Sequence, residues 1–129
     1  MLLDASDDPE IINRYGTSAL HLATERPDKD IILMLLSKKA NVNIRNTDNF
    51  MTPLHFASQT GNTDIMKLLI ENGTDINAQN KDGNTPLMLA IYTNHQEAAE
   101  LLLQNKADQH IKNNNGLTAF VIASSGAGN

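Results

Sequence analysis

The tripeptide Thr52-Pro53-Leu54 returns as Thr85-Pro86-Leu87, and the same 33-residue step carries Ala57 to Ala90, Leu68-Leu69 to Leu101-Leu102, Asp75 to Asp108 and Gly83 to Gly116. A fixed period of this size marks an array, in which each unit is one supersecondary element that buries its apolar face only against a neighbour. The chain is therefore expected to form a solenoid whose function lies on a surface shared between units. The echo runs in both directions: Ser18-Ala19-Leu20-His21-Leu22-Ala23 stands 34 residues before Thr52, and Thr118-Ala119-Phe120 follows Thr85 by 33. Three full copies result, with incomplete copies at both ends. The one extra residue falls within Ile44 to Met51, where it lengthens a loop and spares the helices.

Within one copy the local signals order the elements. Thr85 is an N-cap candidate, and Pro86 sits at the first helical position, where its missing N–H costs nothing. A short helix is expected from Pro86, ending near Asn94, a residue that tolerates the left-handed conformation and aligns with Gly61. The chain then reverses into a second helix over Gln96 to Gln104, rich in strong helix formers and with Glu97 in its first turn. The matching second helices are Asp30 to Lys38 and Asp64 to Glu71, the latter stopped by Asn72-Gly73. Beyond them lies polar turn chemistry, Asn77 to Asn84, in which Asp82-Gly83 suits a tight turn.

Helix, turn, helix and hairpin-like finger at this period resemble the ankyrin repeat, whose pattern Gly-x-Thr-Pro-Leu-His-x-Ala, Gly, Leu-Leu, Gly-Ala-Asp-Val-Asn is matched from about residue 13 onward. The second copy carries it most fully, with Thr52 to Ala57, Gly61, Leu68-Leu69 and Gly73 to Asn77; the third departs at Met88, Asn94, Lys106 and His110. The resemblance implies an all-α repeat solenoid with a β-hairpin-like finger between units. The expected division is a partial repeat over 1–12, repeats over 13–46, 47–79 and 80–112, and a truncated repeat over 113–129. Neither end resembles a dedicated cap, which favours a piece of a longer array, and Phe120-Val121-Ile122 is expected to be partly uncovered. A monomer is expected, with end-to-end association through that uncovered end as the alternative.

At 129 residues with 40% apolar and only 4% aromatic content, such an array must fill its core with Leu, Ile, Met and Ala. Cysteine is absent, which removes disulfides, thiolate metal sites and cysteine nucleophiles. Met1-Leu2-Leu3 runs straight into Asp4, Asp7 and Asp8, so neither a secretory leader nor a membrane span is read, and a cytoplasmic location, with the nucleus also compatible, is expected. A net charge of −5 repels phosphate backbones and favours neutral or basic partners, so nucleic acid is not an expected partner, and neither is a membrane.

Nothing in the pattern assembles chemistry. His21 and His55 hold the fourth place of the Thr-Pro-Leu-His motif, where a ring ties the first helical turn to the Ser18 or Thr52 hydroxyl, and Met88 replaces it in the third copy. His95 and His110 stand apart from these, and no spacing suits a zinc site, which needs three or four converging ligands. Asp64, Glu71, Glu97 and Glu100 read as helix surface, and no nucleophile, base and oxyanion donor come together. No catalytic residue, cofactor or metal is therefore expected. The resemblance does imply one modification: Asn43, Asn77 and His110 occupy the position that an asparaginyl hydroxylase modifies in such arrays, each with a leucine eight residues earlier (Leu35, Leu69, Leu102). Against this, an Asn in that loop can simply bond a neighbouring backbone.

In an ankyrin-like array the finger residues and the exposed ends of the first helices form a concave face. Here these are Arg14, Tyr15, Thr17, Glu25 and Arg26; then Asp48, Asn49, Met51, Gln59 and Thr60; then Lys81, Asp82, Asn84, Tyr92 and Thr93. They vary between copies and include both tyrosines, a residue type enriched among interface anchors. Phe50 stands where the pattern expects glycine, so Phe50 and Met51 are expected to project from their finger, unless the extra residue reroutes the loop and tucks Phe50 beneath its neighbour. The implied function is a non-catalytic module or scaffold that binds a protein or peptide. The alternatives are a targeting or regulatory segment of a larger protein, and a hydroxylase substrate modified at Asn77.

Overall fold

The structure, a computed structural model, describes residues 19–25 and 28–125. The described residues hold seven helices, the first six in pairs: α1 (Ala19–Glu25) and α2 (Lys29–Ser37), α3 (Pro53–Thr60) and α4 (Thr63–Glu71), α5 (Pro86–Tyr92) and α6 (Gln96–Gln104), then α7 (Ala119–Ser124). The molecule is an all-α repeat solenoid, and no strand occurs among the described residues. The fingers are turns: the second is closed by a backbone bond from Asn80 N–H to the Asn84 carbonyl at 2.9 Å.

Five of the helices begin where a side chain satisfies their first free N–H groups, while α6 opens at His95 with no such bond. Thr52, Thr85 and Thr118 accept from the amides of His55, Met88 and Val121, opening α3, α5 and α7. Asp28 and Asn62 do the same for α2 and α4 through Ile31 and Ile65. The reversal between paired helices uses the left-handed region, reached by Gly61 at φ 76° and, as the sequence indicated, by Asn94 at φ 60°.

The stacking follows from what each helix buries. First helices pile in the order α1, α3, α5, α7, with α4 on α3, α6 on α5, and α4 against α6. Leu54 and Leu87 hold equivalent places in the stack and are 0% and 1% exposed, and Leu35, Leu69 and Leu102 fill equivalent places on the second helices. Ala57, Ala90 and Ala98 are fully buried, and their small side chains let the helices approach closely. The aliphatic core that composition demanded is thus one continuous cluster running from Leu20 to Ile122.

Candidate binding face

Each finger is built round a buried or half-buried asparagine. Asn46 Oδ1 accepts from the amides of Asn49 and Met51, Asn80 Oδ1 from those of Asp82 and Asn84, and Asn113 Oδ1 from those of Asn115 and Leu117. A side chain short enough to fold back on its own turn does what a strand ladder would otherwise do. The asparagines recur at the repeat step, a signal present in the sequence that a search for apolar periodicity passed over. The extra residue lies between Asn46 and Met51, where the turn spans one residue more than in the next two fingers.

Fingers are then bonded to one another. Lys81 N–H donates to the Asn49 carbonyl at 2.9 Å, Asn114 N–H to the Asp82 carbonyl at 3.0 Å, and Asn114 Nδ2 to the Lys81 carbonyl at 2.8 Å. At the finger bases, Arg45 Nη1 donates to the Gln79 carbonyl and Gln79 Nε2 to the Lys112 carbonyl, one rung per repeat.

A second set of rungs passes through the histidines. His55 Nδ1 accepts from the Thr52 amide at 3.1 Å and lies 2.8 Å from the Thr52 hydroxyl, as the motif implied. That fixes the proton on Nε2, which donates to the Asn84 carbonyl of the next finger at 2.9 Å. His21 repeats the reach, Nε2 to the Met51 carbonyl at 2.7 Å, and its ring meets Phe56 edge-on. Its tie to Ser18 lies outside the described residues. Burial is the main cause that lowers both rings below the usual imidazole value, His55 to about 4; hydrogen bonds to backbone carbonyls oppose it only partly. Both histidines are neutral structural rungs at physiological pH.

The expected contact residues are not all available. Asp48, Lys81, Asp82, Gln59, Thr60, Thr93 and Tyr92 are exposed, on finger tips or at the ends of α3 and α5. Met51 is a correction. It is 3% exposed, because it keeps the register of Asn84 at the foot of its finger, immediately before the α3 cap, and the next finger's Asn80 covers its sulfur at 3.3 Å. Asn84 is half-buried and accepts from Asn113 Nδ2, and Asn49 is half-buried with its carbonyl engaged by Lys81. Phe50 projects alone, 45% exposed, at φ 56° where Gly83 and Gly116 hold the same turn at φ 80° and 78°. Arg14, Tyr15, Thr17 and Arg26 lie outside the described residues, and Glu25 closes α1.

Asn43 and Asn77 stitch neighbouring repeats. Asn43 Oδ1 accepts from the Asp75 amide at 2.6 Å, and Asn77 Oδ1 from the Asp108 amide at 2.8 Å; His110, the third of the series, is exposed. Among the described residues no group of three or more His, Cys, Asp or Glu side chains is placed to hold a metal, and no helix is long and apolar enough to cross a membrane.

Comparison with known proteins gives one family. A model described as Ankyrin repeats (3 copies) matches residues 1–80 and, overlapping it, residues 54–129. No curated protein matches the chain.

Proposed function

Because the chain belongs to the ankyrin repeat family, whose members generally mediate protein–protein contacts, we propose that it is a non-catalytic binding module or scaffold recognising a protein or peptide on its finger face. The observation that supports this reading is a division of labour along the fingers. Backbone and buried asparagines are bonded from one finger to the next, so the surface is held rigid, while Asp48, Phe50, Lys81, Asp82, Gln59 and Tyr92 carry no role in that bonding through their side chains. A rigid frame with free side chains loses little entropy on binding. Charges of both signs beside two aromatic rings suit a partner with an apolar anchor and a polar rim.

Phe50 is the sharpest feature of that face. A non-glycine residue at positive φ costs about 1–2 kcal/mol, and here the two later fingers show that glycine serves the turn. An exposed aromatic ring at a turn position that suits glycine supports contact with a partner. Phe50→Asn tests this, since Asn accepts the left-handed region. Stability is expected to change by less than about 1 kcal/mol, as relief of strain offsets the lost half-buried ring. Capture of the bound protein from a cell lysate is expected to fall about tenfold, the loss of about 1.4 kcal/mol, and further with Tyr92→Ala. Undiminished capture by the folded double variant would move recognition to another face.

A further inference from the structure

Two asparagines of the chain are followed by glycine, in Asn72-Gly73 and Asn115-Gly116. Such a pair carries the reactants for a change in its own backbone. The glycine amide nitrogen can attack Cγ of the preceding side chain, because no Cβ on the glycine hinders the approach and the chain turns freely about it. In a folded protein the outcome depends on how firmly the nucleophile and the leaving group are held, and the two pairs differ in this.

At the end of α4 both are held. Asn72 Nδ2, the leaving group, donates to the Leu68 carbonyl at 2.8 Å, and the N–H of Gly73, the nucleophile, donates to the Ile70 carbonyl at 3.1 Å. Reaction there requires the last turn of α4 to open, and that turn carries the buried Leu69. In the finger over residues 113–117, Asn115 is exposed and its side chain makes no hydrogen bond among the described residues. Its Cγ is free to swing onto the Gly116 nitrogen, which a single bond restrains, to the Asn113 carbonyl at 2.9 Å. Stacking of one finger on another leaves this position in water: Asp82, its counterpart one repeat earlier, is exposed although Asn114 bonds to its carbonyl.

We propose that Asn115 is a site of spontaneous deamidation, while the end of α4 protects Asn72. Hydroxide takes the Gly116 amide proton, and the nitrogen forms a bond to Asn115 Cγ. The bond from Cγ to Nδ2 then breaks and, with a proton from water, the side-chain amide leaves as ammonia, closing a succinimide ring. Water adds to one of the two ring carbonyls and opens it, giving aspartate or isoaspartate; nothing is oxidised or reduced. Aspartate suits the turn, since Asp82 occupies the same place in the previous finger. Isoaspartate inserts one more carbon into the main chain between the amides of Asn115 and Leu117, both of which Asn113 Oδ1 holds, so the turn cannot keep the two bonds. Either product adds a negative charge to the finger next to that of Asp82. This modification goes beyond the finger-face reading and does not rest on it.

The full chain, kept at mildly alkaline pH and sampled over days, tests the proposal through mass spectrometry of the peptides that hold Asn72 and Asn115. The peptide with Asn115 is expected to gain the amide-to-acid mass and to split into two chromatographic isomers, about ten times faster than the peptide with Asn72, as the extra hydrogen bond at the α4 end implies. In guanidinium at the same pH the two identical dipeptides are expected to react at similar rates, so the difference reports the fold. Equal rates in the folded chain, a faster Asn72, or an Asn115 that stays intact when folded yet converts in guanidinium would overturn the proposal.

Discussion

Gly83→Ala is expected to destabilise this protein by about 3 kcal/mol, while Gly116→Ala, at nearly the same φ, costs about 1 kcal/mol. Both glycines hold the left-handed turn of a finger, at φ 80° and 78°. Strain from an added methyl group is thus common to the two, and what differs is the space. A Cβ on Gly83 would lie 2.6 Å from Asn114 Oδ1, 2.7 Å from Asn114 N and 3.0 Å from Asn113 Cα, whereas one on Gly116 meets nothing within 4 Å. Two of those three atoms belong to backbone, and Asn114 is held in place by its bonds to the Asp82 and Lys81 carbonyls. Relief requires parting the fingers and losing those bonds. Urea midpoints at constant m-value measure both variants; equal costs would show that the fingers are not rigidly coupled.

Acid is expected to remove about 3 kcal/mol of stability between pH 6.5 and pH 4 through His55 alone. Its ring is 0% exposed, and burial lowers its pKa to about 4 from an unfolded value of 6.5. Above pH 6.5 both states are neutral and the rung contributes fully. Below that, the unfolded chain takes up a proton that the native ring refuses until about pH 4, so stability falls as pH falls across this window and levels off beneath it. Two and a half units at about 1.36 kcal/mol each give the magnitude. His21, shifted the same way, adds to the loss. His55→Met isolates the effect, since Met88 fills the same place in the next repeat at 1% exposure. The variant is expected to be weaker at pH 7, because the Thr52 amide and the Asn84 carbonyl lose a partner, and the gap should close on acidification. Parallel profiles for the two proteins would contradict the neutral-rung assignment.

Much of the solenoid is legible in the sequence because one rule repeats. Thr-Pro marks the start of α3 and α5, Asn94 replaces Gly61 in the same left-handed turn, and the paired leucines lie where the second helices pack. The family match and the helix order agree with that reading. What escaped it was cooperative between repeats. The motif predicts that His55 ties its own helical turn through Nδ1; that Nε2 reaches the next finger depends on how closely the repeats stack, which a single copy does not specify. Lys39 and Lys106 take the left-handed place of Gly73, at φ 64° and 68°, with no local residue preference to announce it.

The fingers were legible as elements, and which of their side chains project was less so. Met51 and Phe50 are both large and apolar, and their order along the chain does not say which one the turn turns outward. The decision rests with Asn46: by accepting from the Met51 amide it fixes that residue at the foot of the finger and leaves the extra residue to bulge, so Phe50 projects and Met51 is covered. Composition cannot supply this, because it follows from a hydrogen bond across the turn.

The claim that this array binds protein through its fingers is tested most directly by amide hydrogen exchange on the complex captured from lysate, compared with the free chain. Added protection is expected in residues 46–51 and 80–84 and at the carboxyl ends of α3 and α5, with α2, α4 and α6 unchanged. Protection confined to α2, α4 and α6, with the fingers exchanging as they do in the free protein, would contradict it.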